Sequence, residues 1–119
     1  MNQYLLSGVI FVLLDSCYLY LIKNYFDNQI KSIQGSPIQI NYVGAIITYI
    51  FLIFGLNHFI LDKKKSIKEA MLLGFVIYGV YEFTNLAIIK KWNFLTTILD
   101  TAWGTILFGL TTWIVYKLN

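Results

Sequence analysis

Residues 71–92 read MLLGFVIYGVYEFTNLAIIKKW, and their length and character decide the fold. The run 71–89 is close to the roughly 20 residues that a helix needs to cross a hydrocarbon core. Lipid offers no partners to backbone N–H and C=O groups, so such a run must satisfy them internally as a helix. Lys90, Lys91 and Trp92 follow, residue types that mark where a helix leaves the hydrocarbon. Inside the run stand Glu82, Thr84 and Asn85. A purely lipid-facing helix has no use for a carboxylate, a hydroxyl and an amide so close together.

Three further runs have the same character: 4–22, 42–61 and 97–116. Hydrophobic residues make up 58% of the 119-residue chain and charged residues 13%, with no arginine. A soluble chain is about 25% charged, and six acids with nine lysines do not cover this much apolar surface. The expected architecture is all-α: a polytopic membrane protein with four transmembrane helices in one domain over 1–119. Run 4–22 has no basic segment before it, carries Asp15, and is followed by no small-x-small cleavage site, so it is expected to be a retained helix. The net charge of +3 comes from short lysine clusters between apolar runs. Nucleic-acid binding needs a basic face and is not expected.

The connections are 23–41, 62–70 and 90–96. The first holds Gly35, Ser36 and Pro37, a turn signal, and apolar positions that suggest an interfacial amphipathic segment. Lys63, Lys64, Lys65, Lys68 and Lys117 fall on one side, against Lys23, Lys31, Lys90 and Lys91 on the other. The dense cluster places both termini and the central loop in the cytoplasm by the positive-inside rule. The protein is expected in a bacterial-type inner or plasma membrane, as a multi-pass protein with the lipid bilayer as partner. Four helices enclose little volume, which makes a homo-oligomer a further expectation.

The chain reads as two tandem helical hairpins. VIFVLLDSCYLYLIK (9–23) aligns with VIYGVYEFTNLAIIK (76–90), setting Asp15 over Glu82. The second helices align on Phe-Gly-Leu, setting Tyr49 over Trp103. A parallel duplication relates its halves by an axis along the membrane normal, and small transporters put a polar site between such halves. Asp15 and Glu82 then lie at equal depth, about 12 Å inside Lys23 and Lys90 at 1.5 Å per residue.

Three carboxyls fall inside the spans: Asp15, Glu82 and Asp100. Each costs at least about 2.5–3.5 kcal/mol in hydrocarbon, so each is expected to face the bundle or a cavity. No lysine lies in the same spans, so they must be protonated, hydrated or bound to a cation. The structural alternative is protonated carboxyls hydrogen-bonded to Thr84, Asn85, Ser16 or Thr101. Helical spacing puts Tyr78 and Asn85 on the Glu82 face and Tyr18 on the Asp15 face. Tyr18, Tyr78, Tyr81 and Trp103 are candidate walls of a polar pocket in the outer half. His58 is expected at the interface, capped by Asp62 on the same face. Cys17 reads as a small packing residue. No Gly-rich phosphate loop, HExxH or Cys/His metal set is present. With one histidine at the far end from the acids, a nucleophile–base–orienter set is not supported; a di-acid intramembrane hydrolase stays open.

The combination Tyr81-Glu82-x-Thr84-Asn85-x-Ala87, Lys90-x-Trp92 and Asp100-x-x-Trp103-Gly104, with Leu14-Asp15 early, resembles a membrane family known as domain of unknown function 2177. The resemblance covers nearly the whole chain and implies a four-helix membrane protein with no assigned activity or cofactor. Two positions depart from the family pattern: Asn93, where a proline is usual, and Tyr18, where a tryptophan is often found. The expected function is a small transporter or channel-like protein handling protons, a cation or a cationic solute at Asp15, Glu82 and Asp100. The alternatives are a membrane binding protein or enzyme for a lipid-like or chromophore-like ligand, and a non-catalytic partner subunit of a membrane complex.

Overall fold

A computed structural model describes residues 2–119. The chain forms α1 (Gln3–Gln34), α2 (Tyr42–Leu56) continued by one π-turn (Asn57–Leu61), α3 (Ile67–Ile88) and α4 (Phe94–Leu118). All four helices are long and apolar enough to cross a membrane. Each starts on a residue whose short polar side chain accepts a backbone N–H that the helix leaves unpaired: Asn2, Asn41, Ser66 and Asn93.

The first helix departs from expectation. It ends at Gln34, not at Ile22, and most of the expected loop is helical. Lysines and amides lower hydropathy without breaking a helix, since their propensities are close to those of ordinary helix formers. The break comes at Gly35, whose left-handed φ of 77° caps α1 with an N–H bond to the Lys31 carbonyl. Glycine takes that conformation without the Cβ penalty. At 1.5 Å per residue α1 is about 48 Å long, well beyond a hydrocarbon core of about 30 Å.

α3 and α4 pack most closely, α4 also lies against α1, and α2 touches α1 more lightly. Glycines set the α3–α4 approach. A Cβ on Gly74 would meet the Gly104 carbonyl oxygen and, at 2.9 Å, the Phe108 side chain; a Cβ on Gly104 would enter the Tyr78 ring. Small residues permit this in lipid, where packing replaces the hydrophobic drive between helices.

The two surfaces of the bundle are inverted relative to a soluble protein. Leu21 is 80% exposed and Phe51 71%, whereas Ser7, Asn57, Thr97, Thr111 and Thr112 are fully buried. Phe11, Leu56, Leu107 and Phe108 complete the interior. Cys17 is exposed on the outside of α1 and does not pack in the core as expected. The ends of the bundle are tied by polar contacts. Gln3 Nε2 donates to Asp62 Oδ1 at 2.8 Å, and the Tyr116 hydroxyl donates to the Lys65 carbonyl at 2.6 Å. The start of α1, the 62–66 loop and the end of α4 therefore share one end.

Candidate functional site

α1 presents Gln3, Ser7, Phe11 and Asp15 at four-residue intervals, so they share a helix face, and Ser7, Phe11 and Asp15 are buried there. Asp15 accepts two hydrogen bonds from different helices. The Tyr49 hydroxyl of α2 donates to Oδ2 at 2.5 Å, and Trp103 Nε1 of α4 donates to Oδ1 at 2.9 Å. One turn on, Tyr18 lies flat on the Trp103 ring, with centroids 4.7 Å apart and planes 7° from parallel. Its hydroxyl donates to Asp100 Oδ1 at 2.5 Å. Asp15, Tyr18, Tyr49, Asp100 and Trp103 are thus joined through side chains alone.

Glu82 of α3 is only 2% exposed. Its Oε1 accepts from Trp92 Nε1 at 3.2 Å. Trp92 reaches Glu82 because the α3–α4 turn folds back, with Lys91 at a left-handed φ of 74°. Trp92, expected where the helix leaves the hydrocarbon, is buried and stands edge-on to Phe26. The carboxyl partners expected from the sequence were Thr84, Asn85, Ser16 and Thr101. The partners found are Tyr18, Tyr49, Trp92 and Trp103, whose long indole and phenol side chains reach across to the carboxyls.

The remaining expected residues fall as follows. Tyr78 packs its ring over Gly104 and edge-on to Phe108. Asn85 is half-buried. Tyr81 is 62% exposed and Thr84 is exposed, so both stand outside the group around Glu82. Thr101 is buried, with its hydroxyl lacking a partner. His58 is exposed and stacks on Phe54; Asp62, expected to cap it, accepts from Gln3 instead. Among the described residues no three His, Cys, Asp or Glu side chains converge as metal ligands. A surface groove of about 690 Å³ lies between α1 and the segment after it, lined by Tyr20, Phe26, Ile38 and others, away from the three carboxyls.

Two polar groups escaped the sequence reading. Gln29, on the extension of α1, is buried; its Oε1 accepts from the Asn93 N–H at 2.8 Å and from the Thr96 hydroxyl at 2.9 Å. Tyr25 lies 2.9 Å from the same Thr96 hydroxyl. At the other end, Asn57 is fully buried and its Nδ2 donates to Ser7 Oγ at 2.9 Å. An amide inside an apolar run was the available signal for Asn57. None existed for Gln29, which sits in a stretch of polar composition.

Neither the curated proteins nor the solved structures compared with this chain include a match. A family model described as "Predicted membrane protein (DUF2177)" matches residues 1–117. The motif residues that carry the resemblance include side chains that pair inside the bundle, Asp15 with Trp103 and Glu82 with Trp92. Asn93, in place of the usual proline, donates through an N–H that proline lacks. The chain belongs to the DUF2177 family of predicted membrane proteins.

Proposed function

We propose that this four-helix domain is a small transporter or channel-like protein in which Asp15, Glu82 and Asp100 form one carboxyl cluster that takes up and releases protons or a small cation. One observation carries the reading: every side-chain donor described on these carboxyls is a neutral phenol or indole. Neutral donors leave the charge of a carboxylate uncompensated, and uncompensated charge inside a bilayer is costly. A proton or cation must supply the balance. In this proposal Glu82 and Asp100 share a proton or a cation, since two neighbouring carboxylates inside the bundle disfavour each other's charge. Enclosure by Tyr18, Tyr49, Trp92 and Trp103 favours a proton or small cation over a cationic solute or a bulky ligand.

Orientation and assembly belong to the same proposal. The 62–66 loop carries Lys63, Lys64 and Lys65 beside both ends of the chain, so the positive-inside rule places that end in the cytoplasm of a bacterial-type plasma membrane. The carboxyls then lie in the outer half. A homo-oligomer or partner-subunit role is favoured by α2, which packs lightly and leaves open space over Gly55.

The test is flux into proteoliposomes loaded with a pH-sensitive dye, under an imposed potential, for protein of natural sequence and for Asp15→Asn, Glu82→Gln and Asp100→Asn. Carboxyl-dependent flux is expected to fall at least about tenfold in each variant, equivalent to about 1.4 kcal/mol of barrier. Flux that all three substitutions leave unchanged, for protons and for alkali cations alike, would overturn the reading.

A further inference from the structure

We propose that the bundle holds a second polar station, built from Gln3, Ser7, Asn57 and Asp62, and that the layer of Phe11, Leu56 and Phe108 is the barrier between it and Asp15. The inference rests on the transport reading above and identifies where the path is closed.

The stripe on α1 runs Gln3, Ser7, Phe11, Asp15, each about 6 Å further along the axis. Asn57 is fully buried, as are Ser7 and Phe11. Its Nδ2 donates to Ser7 Oγ at 2.9 Å and to the Ile53 carbonyl at 2.8 Å. Its Oδ1 accepts from Gln3 Nε2 at 3.2 Å, and the same amide reaches Asp62 Oδ1 at 2.8 Å. Asp62 is exposed, so the chain of hydrogen bonds runs from water to the bundle interior. The station sits on the π-turn of α2. Such turns are rare and occur frequently at functional sites.

Between Ser7 and Asp15 the polar stripe is interrupted once. Phe11 meets Phe108 edge-on with centroids 5.5 Å apart, and meets the Tyr49 ring at 6.2 Å. Phe11, Phe108 and Leu56 are all fully buried. Beyond the layer the polar character resumes with Asp15, Tyr18 and Asp100. Apolar constrictions in channels stop conduction by excluding water from a short length of path. A layer one residue deep, between two hydrogen-bonded groups, has that form. Hydrogen bonds around Asn57 also hold helices together, and a purely adhesive role predicts lost stability with unchanged permeation.

The experiment uses the full chain in proteoliposomes and reads passive proton and alkali-cation leak. Phe11→Ala and Phe108→Ala each shorten the layer from a different helix, so that poor folding of one leaves the other; Phe11→Val is the smaller cut if both fold poorly. Leu21→Ala, on the lipid face, is the control. Leak is expected to rise at least about tenfold in the layer variants, about 1.4 kcal/mol off the barrier, and not in the control. Adding Asn57→Leu to Phe11→Ala is expected to reverse most of that rise. Folded layer variants as tight as the natural sequence would overturn the barrier. Leak that persists with Asn57→Leu would overturn the station. Carboxyl-dependent flux with an unchanged leak separates failure of this inference from failure of the transport reading, which shows instead as layer-dependent leak with no carboxyl dependence.

Discussion

Trp103 on α4 donates its indole N–H to Asp15 on α1 at 2.9 Å while its ring lies flat on Tyr18, three residues along the same helix. One side chain therefore joins two acids, since Tyr18 in turn donates to Asp100. Tyr49 supplies the second donor to Asp15, so three helices meet at that carboxyl.

Tyr49→Phe removes one donor from Asp15 and keeps the ring; Trp103→Phe removes the other and also exchanges the indole stacked on Tyr18 for a smaller phenyl. Hydrogen bonds between membrane helices average about 0.6 kcal/mol and reach about 1.7, so Tyr49→Phe is expected to lose stability in that range and Trp103→Phe more. The double variant leaves the buried Asp15 carboxyl with neither donor and should lose more than the sum. Unfolding in detergent micelles measures this, and strict additivity would contradict the shared acceptor.

Gly74→Ala and Gly104→Ala place a methyl group where the Gly104 carbonyl and the Tyr78 ring already stand. Forced overpacking costs typically about 1–3 kcal/mol, and each variant is expected to lose at least that. Gly55→Ala meets nothing within 4 Å and replaces the poorest non-proline helix former with the best. It should be neutral or stabilising by up to about 1 kcal/mol. Thermal melts of the three variants side by side decide the point.

Gln29→Leu removes the acceptor of the Asn93 N–H and of the Thr96 hydroxyl. The Thr96 hydroxyl keeps Tyr25 as a partner and Asn93 is exposed, so each lost bond is expected to cost its net worth of about 0.5–1.5 kcal/mol. The loss should be local. Hydrogen exchange of the α1 amides beyond Lys23 and of the first turn of α4 is expected to quicken, with the α3–α4 core unchanged. Uniform quickening throughout the chain would mean that Gln29 supports the whole bundle.

Lys91→Gly relieves a left-handed φ of 74°. A non-glycine residue pays about 1–2 kcal/mol for that conformation. The exposed Nζ contact to the Ser32 carbonyl at 3.3 Å is lost in exchange. The variant should be at least as stable as the natural sequence by thermal melt, and a clear loss would show that the Ser32 contact outweighs the backbone strain.

The candidate acids were legible along the chain: Asp15, Glu82 and Asp100 stand out because ionisable groups are rare in apolar runs, and Tyr18 follows from its spacing to Asp15. The alignment that set Tyr49 over Trp103 has a structural echo, since both donate to Asp15. The halves are otherwise unlike: Glu82, opposite Asp15 in the alignment, takes its indole bond from Trp92. Tyr81 and Thr84 illustrate the limit. They flank Glu82 in sequence but lie on the exposed side of α3, because residues one or two apart on a helix point in different directions.

Chain composition alone determined the class of object. Four apolar runs of bilayer length must be helices, because lipid leaves backbone groups no other partners, and that argument needs no knowledge of neighbours. That Asp15, Glu82 and Asp100 each fall inside an apolar run follows from the same counting. Tertiary structure alone decided who donates to each carboxyl, because that depends on the rotation of each helix about its axis. Close packing at Gly74 and Gly104 sets that rotation for α3 and α4. It also decided where the polar extension of α1 docks: Gln29 accepts from Asn93, 64 residues away, and no local signal in the sequence foretells a partner so distant.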